Sequence, residues 1–224
     1  MTTKIETQGA GVFSSWLRRI RFMLIKDTGS NVPCGDCRGC CKSSHFIHIR
    51  PDEKATLSAI PKKLLFAAPY LPKGNKIMGY NESGCCPMLI DDRCSIYDFR
   101  SQTCRNFDCR IFAAAGISAG DKTKNLINDQ LKRWKFQYTS ERDRIQHQSV
   151  MKAAEFLRER QECFPGGKVP DSPSQIAIMA IKVYTVFLKC SNEDIRSYDI
   201  TTGKTIANEI IETNSKFESK CKSA

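Results

Sequence analysis

Nine of the twelve cysteines lie between Cys34 and Cys109, and they arrive in two bursts: Cys34, Cys37, Cys40 and Cys41, then Cys85, Cys86, Cys94, Cys104 and Cys109. No other feature constrains the fold so strongly, because thiols this dense in sequence need a shared partner. A Cys-x-x-Cys turn lets two sulfurs converge on one point while backbone N–H groups aim at the thiolates, and metal sites use that spacing repeatedly. The expected organisation is a metal centre with the remaining chain folded to hold it. A disulfide framework is the competing explanation. Such frameworks belong to short secreted chains with cysteine above roughly 8–10% of residues, and 12 cysteines in 224 residues fall below that. The opening residues, Met-Thr-Thr-Lys-Ile-Glu-Thr, carry no apolar run followed by a small-residue cleavage site. The expectation is therefore a cytoplasmic protein with reduced thiols, which read as metal ligands or redox groups.

A chain of 224 residues can bury a real core without a metal staple. Its 41% hydrophobic and 26% charged residues are those of an ordinary globular protein. The formal charge of +11 counts every cysteine as neutral. Metal ligands are deprotonated, so eight thiolates around two divalent ions would bring the balance to about +7. Arg38, Lys42, Arg93, Arg100, Arg105 and Arg110 stand beside the cysteines in sequence, where cations stabilise thiolates. Nucleic acid is a disfavoured partner, because no reading motif accompanies the basic balance.

Residues 1–10 read as a loose terminus. From Gly11 to Lys26, Phe13, Trp16, Leu17, Ile20, Met23 and Leu24 recur at three and four residues, as on one face of a helix. That face either docks on the chain's own core, the favoured reading, or makes a peripheral membrane contact over residues 11–26. His45 to Ile49 alternates like a short strand, and Pro51 with Asp52 and Glu53 opens a helix to about Ile60. Residues 61–74 read as short helical or irregular structure. Lys76 to Tyr80 and Met88 to Ile90 read as paired strands around the Asn81-to-Gly84 turn, and the aromatics from Tyr97 to Phe107 as a wall against water. Past Gly116 come helices over residues 121–136 and 141–163, then one capped by Ser172-Pro173-Ser174-Gln175, and a last from about Lys204 to Lys220. The apolar run from Ile176 to Leu188 is too short to span a membrane and reads as a buried central helix. Cys163, Cys190 and Cys221 read as small apolar fillers. Gly203-Lys204-Thr205 resembles the end of a phosphate-binding loop, but Tyr198 stands where an earlier glycine is required.

The strong ligand candidates are Cys34, Cys37, Cys40, Cys41, Cys86, Cys94, Cys104 and Cys109, enough for two four-thiolate sites of zinc or of iron-sulfur type. Thiolates exclude calcium and magnesium without separating zinc from iron. Adjacent side chains tend to diverge, so Cys40 and Cys41 are expected to serve two centres or to bridge two metals. Cys85 is a spare thiol, and His45 a substitute ligand or a support for one.

Cys-x-x-Cys-x-x-Cys-Cys, then Cys86-Pro87-Met88-Leu89, Cys94-Ser95-Ile96-Tyr97-Asp98-Phe99-Arg100 and Cys104-Arg105-Asn106-Phe107-Asp108-Cys109, resembles the YkgJ-type cysteine-cluster family, described as chelating zinc or iron. The resemblance covers roughly Cys34 to Phe112 and implies that the eight cysteines are the ligands. Arg100-Ser101 stands where the family has Arg-Pro. Flagellin lysine N-methylases are similar in this pattern, which raises an alternative: a cluster-dependent protein-modifying enzyme or a redox enzyme, with a protein as a partner beside the metal ions.

The fold class expected is mainly α, with a small α+β cysteine-rich metal-binding module and a C-terminal helical bundle. Three regions follow: an N-terminal amphipathic helix and connector over 1–30, the module over 31–116, and a helical region over 117–224.

Overall fold

The computed structural model describes residues 6–30, 32–189 and 194–223. The elements run β1 (Gln8–Val12), α1 (Phe13–Lys26), β2 (Ile47–Ile49), α2 (Lys54–Ala59), β3 (Leu65–Ala67), β4 (Lys76–Met78), β5 (Leu89–Ile90), β6 (Arg93–Cys94), α3 (Gln102–Asn106), α4 (Arg110–Ala115), α5 (Asn125–Arg133), β7 (Trp134–Gln137), α6 (Glu141–Glu159), α7 (Pro173–Val183) and α8 (Ile200–Lys222). The protein is mainly α, as its periodicities predict. It divides into two compact units, one of residues 1–26, 109–119 and 131–224, the other of residues 27–108 and 120–130.

The first unit is helical. Phe13, Trp16, Leu17, Ile20 and Met23 of α1 are all buried and Leu24 is half-buried, so most of the apolar stripe docks inside the unit. Arg21, from the same helix, donates to the carbonyls of Ile181 and Lys182 at 2.5 and 2.7 Å, satisfying the end of α7. Ser172 caps α7 by accepting from Gln175 N, and Ala177, Ala180, Ile181 and Val183 are fully buried. The helix stops at Val183, short of the expected Leu188, and a 3-10 turn over Tyr184–Phe187 follows. Two strands break the expectations. β1 pairs in parallel with β7, so residues 8–12 are not a loose terminus and the helix expected to reach Phe136 ends at Arg133.

Asp143 anchors this arrangement. Ser140 and Asp143 form a capping box at the start of α6. The Asp143 carboxylate also accepts from Ser14 N at 2.8 Å and Thr139 N at 2.9 Å, although it lies buried. Gly203 in α8 has a different reason from the phosphate loop its motif suggests. A Cβ there would stand 2.4 Å from Cys163 Sγ and 3.1 Å from Arg160 Nη2, so glycine lets the helix lie against Cys163. That thiol is a buried filler, Cys221 is half-buried with its Sγ near Leu24 O, and Cys190 lies outside the described residues.

The second unit has a small core of Ile49, Ile60, Met78 and Met88, with Ile47, Leu65, Cys86 and Ile96 packed on it. Its main sheet has the order β2-β4-β3. Here the strand pairing differs from the expected hairpin: β4 pairs with β2 and β3, and β5 pairs with β6. The reason is the apolar register, because Ile47 and Leu65 both stand opposite Met78 and share its buried face. β3 itself falls in the stretch read as irregular, and α2 begins at Lys54 rather than at Pro51.

Two outcomes test this packing. Hydrogen bonds, those from Ser14 first and those from Ser140 and Thr139 after, hold the Asp143 carboxyl well below its usual range. A native value below the unfolded one, near 3.9, gives stability that is complete above that value and lost as pH falls through the native value. Asp143→Asn should therefore lower the thermal midpoint at neutral pH and flatten its acid-side fall, as read by calorimetry. Gly203→Ala ordinarily gains helix propensity, up to about 1 kcal/mol, but here the overpacking should outweigh it and cost roughly 1–3 kcal/mol. Adding Cys163→Ala should recover most of that loss in denaturant titrations.

Candidate metal centre

Cys37 N donates to Cys34 O at 3.0 Å, closing the Cys-x-x-Cys turn, and Gly39 N points at Cys37 Sγ at 3.4 Å. The turn then tightens: Cys41 N and Lys42 N both donate to Arg38 O, at 3.0 and 3.1 Å. Gly39 allows a close approach, since a Cβ would meet Leu126 O at a tight 3.1 Å. Arg38 folds back to donate to Gly35 O and Cys37 O at 2.9 and 3.0 Å.

Three ties bring the later cysteines to this turn. Cys86 N donates to Cys41 O at 2.7 Å, and Ser44 N donates to Gly84 O at 2.9 Å. Asp92 makes the third: its carbonyl accepts from Arg38 Nε and its carboxylate pairs with Lys42, each at 2.5 Å. Asp91 and Asp92 both have positive φ, the signature of a two-residue primed turn, and this turn delivers Cys94 on β6. Cys104 rides on α3, where Ser101 Oγ accepts from Cys104 N at 3.2 Å. That helix is braced in turn, because Glu53 accepts from Gln102 N, and Asp27 accepts from Asn106 Nδ2 and pairs with Arg50.

The sulfurs feel one another. Burial first, then Cys41, Cys104 and Cys94, push the Cys86 thiol up to about 11, against a backbone hydrogen bond from Met88. Burial, Cys41 and Cys94 raise Cys104, and burial and Cys41 raise Cys94; Arg100 opposes the rise in both. Each of Cys41, Cys86, Cys94 and Cys104 is thus within electrostatic reach of the other three. Cys40 joins them, its Sγ 4.0 Å from that of Cys41. Contrary to the expected divergence, the tight turn draws this adjacent pair together, near the ~3.8 Å between two thiolates on one tetrahedral ion with ~2.3 Å bonds. The hydrogen bond with Cys41 comes first among the causes that raise Cys40, ahead of desolvation and of Cys34 and Cys104. Since Cys40 is an exposed residue, that contact outweighs its burial. The same bond comes first in lowering Cys41 to about 7, helped by Arg38, Arg100 and Lys42 against burial.

The other candidates lie as follows. Cys37 is half-buried in the opening turn. Cys109 belongs to the first unit, where it is buried and its Sγ accepts from Trp134 Nε1 at 3.2 Å. Cys85 Sγ faces Ser83 O at 3.8 Å. His45 packs on Phe107, and burial, then Lys124, lower it to about 4, so it is a neutral imidazole. The expected aromatic wall is open, with Tyr97 59% and Phe99 53% exposed. Tyr97 instead carries the Arg100 guanidinium 3.5 Å from its ring centroid. Neither Asp92 as the tie nor Gly39 as the close approach is announced by the sequence, because their partners lie far along the chain.

Among the described residues, no three histidine, cysteine, aspartate or glutamate side chains stand in a geometry that holds a metal ion. The donor set is nonetheless chemically suited to a soft cation: thiols gathered together, with arginine and lysine beside them. No family model, curated protein or solved structure matches the chain.

The lowered Cys41 gives a direct outcome. In reduced, metal-free protein, iodoacetamide labelling should contain a fast phase whose rate rises through a pKa of about 7. Peptide mapping should place that phase on Cys41, and Cys41→Ser should remove it while Cys86 reacts only at much higher pH.

Proposed function

We propose that the chain is a thiolate metal-binding protein, holding zinc or an iron-sulfur centre between its early and late cysteines. What supports this most is that the Cys86 N–H to Cys41 carbonyl bond ties the early cysteines to the late ones, with Cys41, Cys86, Cys94 and Cys104 each within electrostatic reach of the others. Those four would form one set of ligands, with Cys34, Cys37 and Cys40 supplying further thiolates on the same side. The donors are all sulfur, which suits zinc and iron and disfavours hard cations. The metal would act by neutralising thiolates that otherwise repel one another. The chain's own residues do the remaining work. Gly39 N–H and the Cys-x-x-Cys turn orient sulfur, while Arg38, Lys42 and Arg100 offset the negative charge.

Anaerobic purification followed by elemental analysis tests this. One to two equivalents of zinc, or iron with a matching sulfide content and visible absorption, is the expected result. Cys41→Ser and Cys104→Ser should each lose most of the bound metal, whereas Cys163→Ser should keep it. Because the Cys109 sulfur already accepts from Trp134 Nε1, Cys109→Ser should also keep it. Fully titratable thiols with no bound metal under anaerobic conditions would refute the reading.

A further inference from the structure

The β3–β4 hairpin of the second unit has a surface that the thiol site does not use. From Lys54 to Asn81 the chain has five lysines, Lys54, Lys62, Lys63, Lys73 and Lys76, and no aspartate or glutamate. Strand alternation sends Leu65 and Met78 to the small core and Phe66 to the opposite side, where it is 59% exposed. At the loop joining the strands, Tyr70 is 104% and Leu71 47% exposed, with Pro69 and Pro72 on either side. The loop is held in shape. Ala68 N donates to Asn75 O at 3.1 Å, Asn75 Nδ2 donates to Pro72 O at 2.9 Å, and His48 Nε2 lies 2.8 Å from Asn75 Oδ1. Exposed apolar side chains on a fixed loop are a preorganised contact surface.

We infer that this hairpin docks on an anionic membrane surface, with Tyr70 and Leu71 entering the headgroup region and the flanking lysines facing acidic lipid. Charge complementarity selects this occupant: the acid-free run of lysines repels basic partners and attracts a negative plane. The apolar tip selects lipid over single-stranded nucleic acid, because Leu71 and the prolines gain nothing from base stacking but do gain from leaving water. Tyrosine at such a tip suits the interface, having an apolar ring and a polar end. Neither signal is strong alone, and stable peripheral attachment combines an apolar insertion with a basic patch. No helix among the described residues is long and apolar enough to cross a membrane, so the contact proposed is interfacial. It is independent of the thiol site.

The test is co-sedimentation of the full chain, as purified, with phosphatidylcholine vesicles and with vesicles of phosphatidylcholine and phosphatidylserine. The expected result is sedimentation with the phosphatidylserine vesicles alone, weakening as salt shortens the screening length. Tyr70→Ser with Leu71→Ser should weaken binding at least about tenfold, and Lys62→Ala with Lys63→Ala about 30-fold. All four positions are exposed, and unchanged circular dichroism and thermal midpoint would establish that the variants fold. Absence of sedimentation with phosphatidylserine vesicles overturns the inference, as does sedimentation that neither pair of substitutions alters. A labelled single-stranded oligonucleotide that binds through the same residues while vesicles are ignored also overturns it, in favour of nucleic acid.

Discussion

Asp92 is the hinge of the cysteine-bearing unit. Its carbonyl holds Arg38 and its carboxylate holds Lys42, so a single turn residue fastens the opening loop to the strand pair that carries Cys94. The Cys41 carbonyl completes the junction by accepting from Cys86 N. These ties matter because the unit has little else to define it. Its main buried apolar cluster comprises Ile49, Ile60, Met78 and Met88, and a cluster of that size gives a limited margin of stability. Polar braces supplement it, chiefly Glu53 to Gln102 and Asp27 to Arg50 and Asn106. The exposed Lys42–Asp92 pair adds little energy by itself, yet together with the Arg38 bond it fixes which backbone segments meet. The helical unit relies on a different balance, with α1, α4, α6, α7 and α8 contributing fully buried side chains from Phe13 to Ile210.

How much of this was legible in the sequence depends on the range of the interaction. Local chemistry was readable: Ser172 with Pro173 announces α7, and the three-and-four spacing from Phe13 to Met23 marks the buried face of α1. Pairing between distant segments was not. β1 and β7 lie far apart in the chain and carry no alternation strong enough to mark them; β1 has glycines at two of its five positions. β4 was recognised as a strand, but its partner was misjudged because the nearest turn signal, Asn81 to Gly84, pointed towards β5. The core chose instead, placing Met78 between Ile47 and Leu65. In the actual turn, Asn81 Oδ1 accepts from Ser83 N and Cys85 N, which satisfies the backbone locally and leaves β5 to pair with β6.

The candidate site shows the same division. Clustering in sequence marked the thiols, but spacing could not rank them. Cys109 follows Cys104 by five residues, and its sulfur accepts from Trp134, a partner that spacing does not announce. Cys40 and Cys41 converge although neighbouring side chains usually diverge, because the bonds from Cys41 N and Lys42 N to Arg38 O wind the backbone into a tight turn. Arginines near cysteines were visible as charge, but their separate tasks were not. Arg38 is a staple for three carbonyls, whereas Arg100 lies on Tyr97 and opposes the upward shift of Cys94 and Cys104.

The thiol group also carries an electrostatic asymmetry. Cys41 is lowered towards neutrality while Cys40, Cys86, Cys94 and Cys104 are raised, and in three of these the nearby sulfurs act after burial. One thiolate is therefore accessible near neutral pH, and its negative charge makes each further ionisation harder. Arg38, Lys42 and Arg100 are tethered at their present positions and can offset only part of that charge. Near neutral pH a set of this kind stays largely protonated, and on the proposed reading a cation entering among the sulfurs would release their protons, coupling metal binding to pH through the same side chains. The first ligand to engage would be the thiolate already present, Cys41, which lies at the junction between the early and late cysteines.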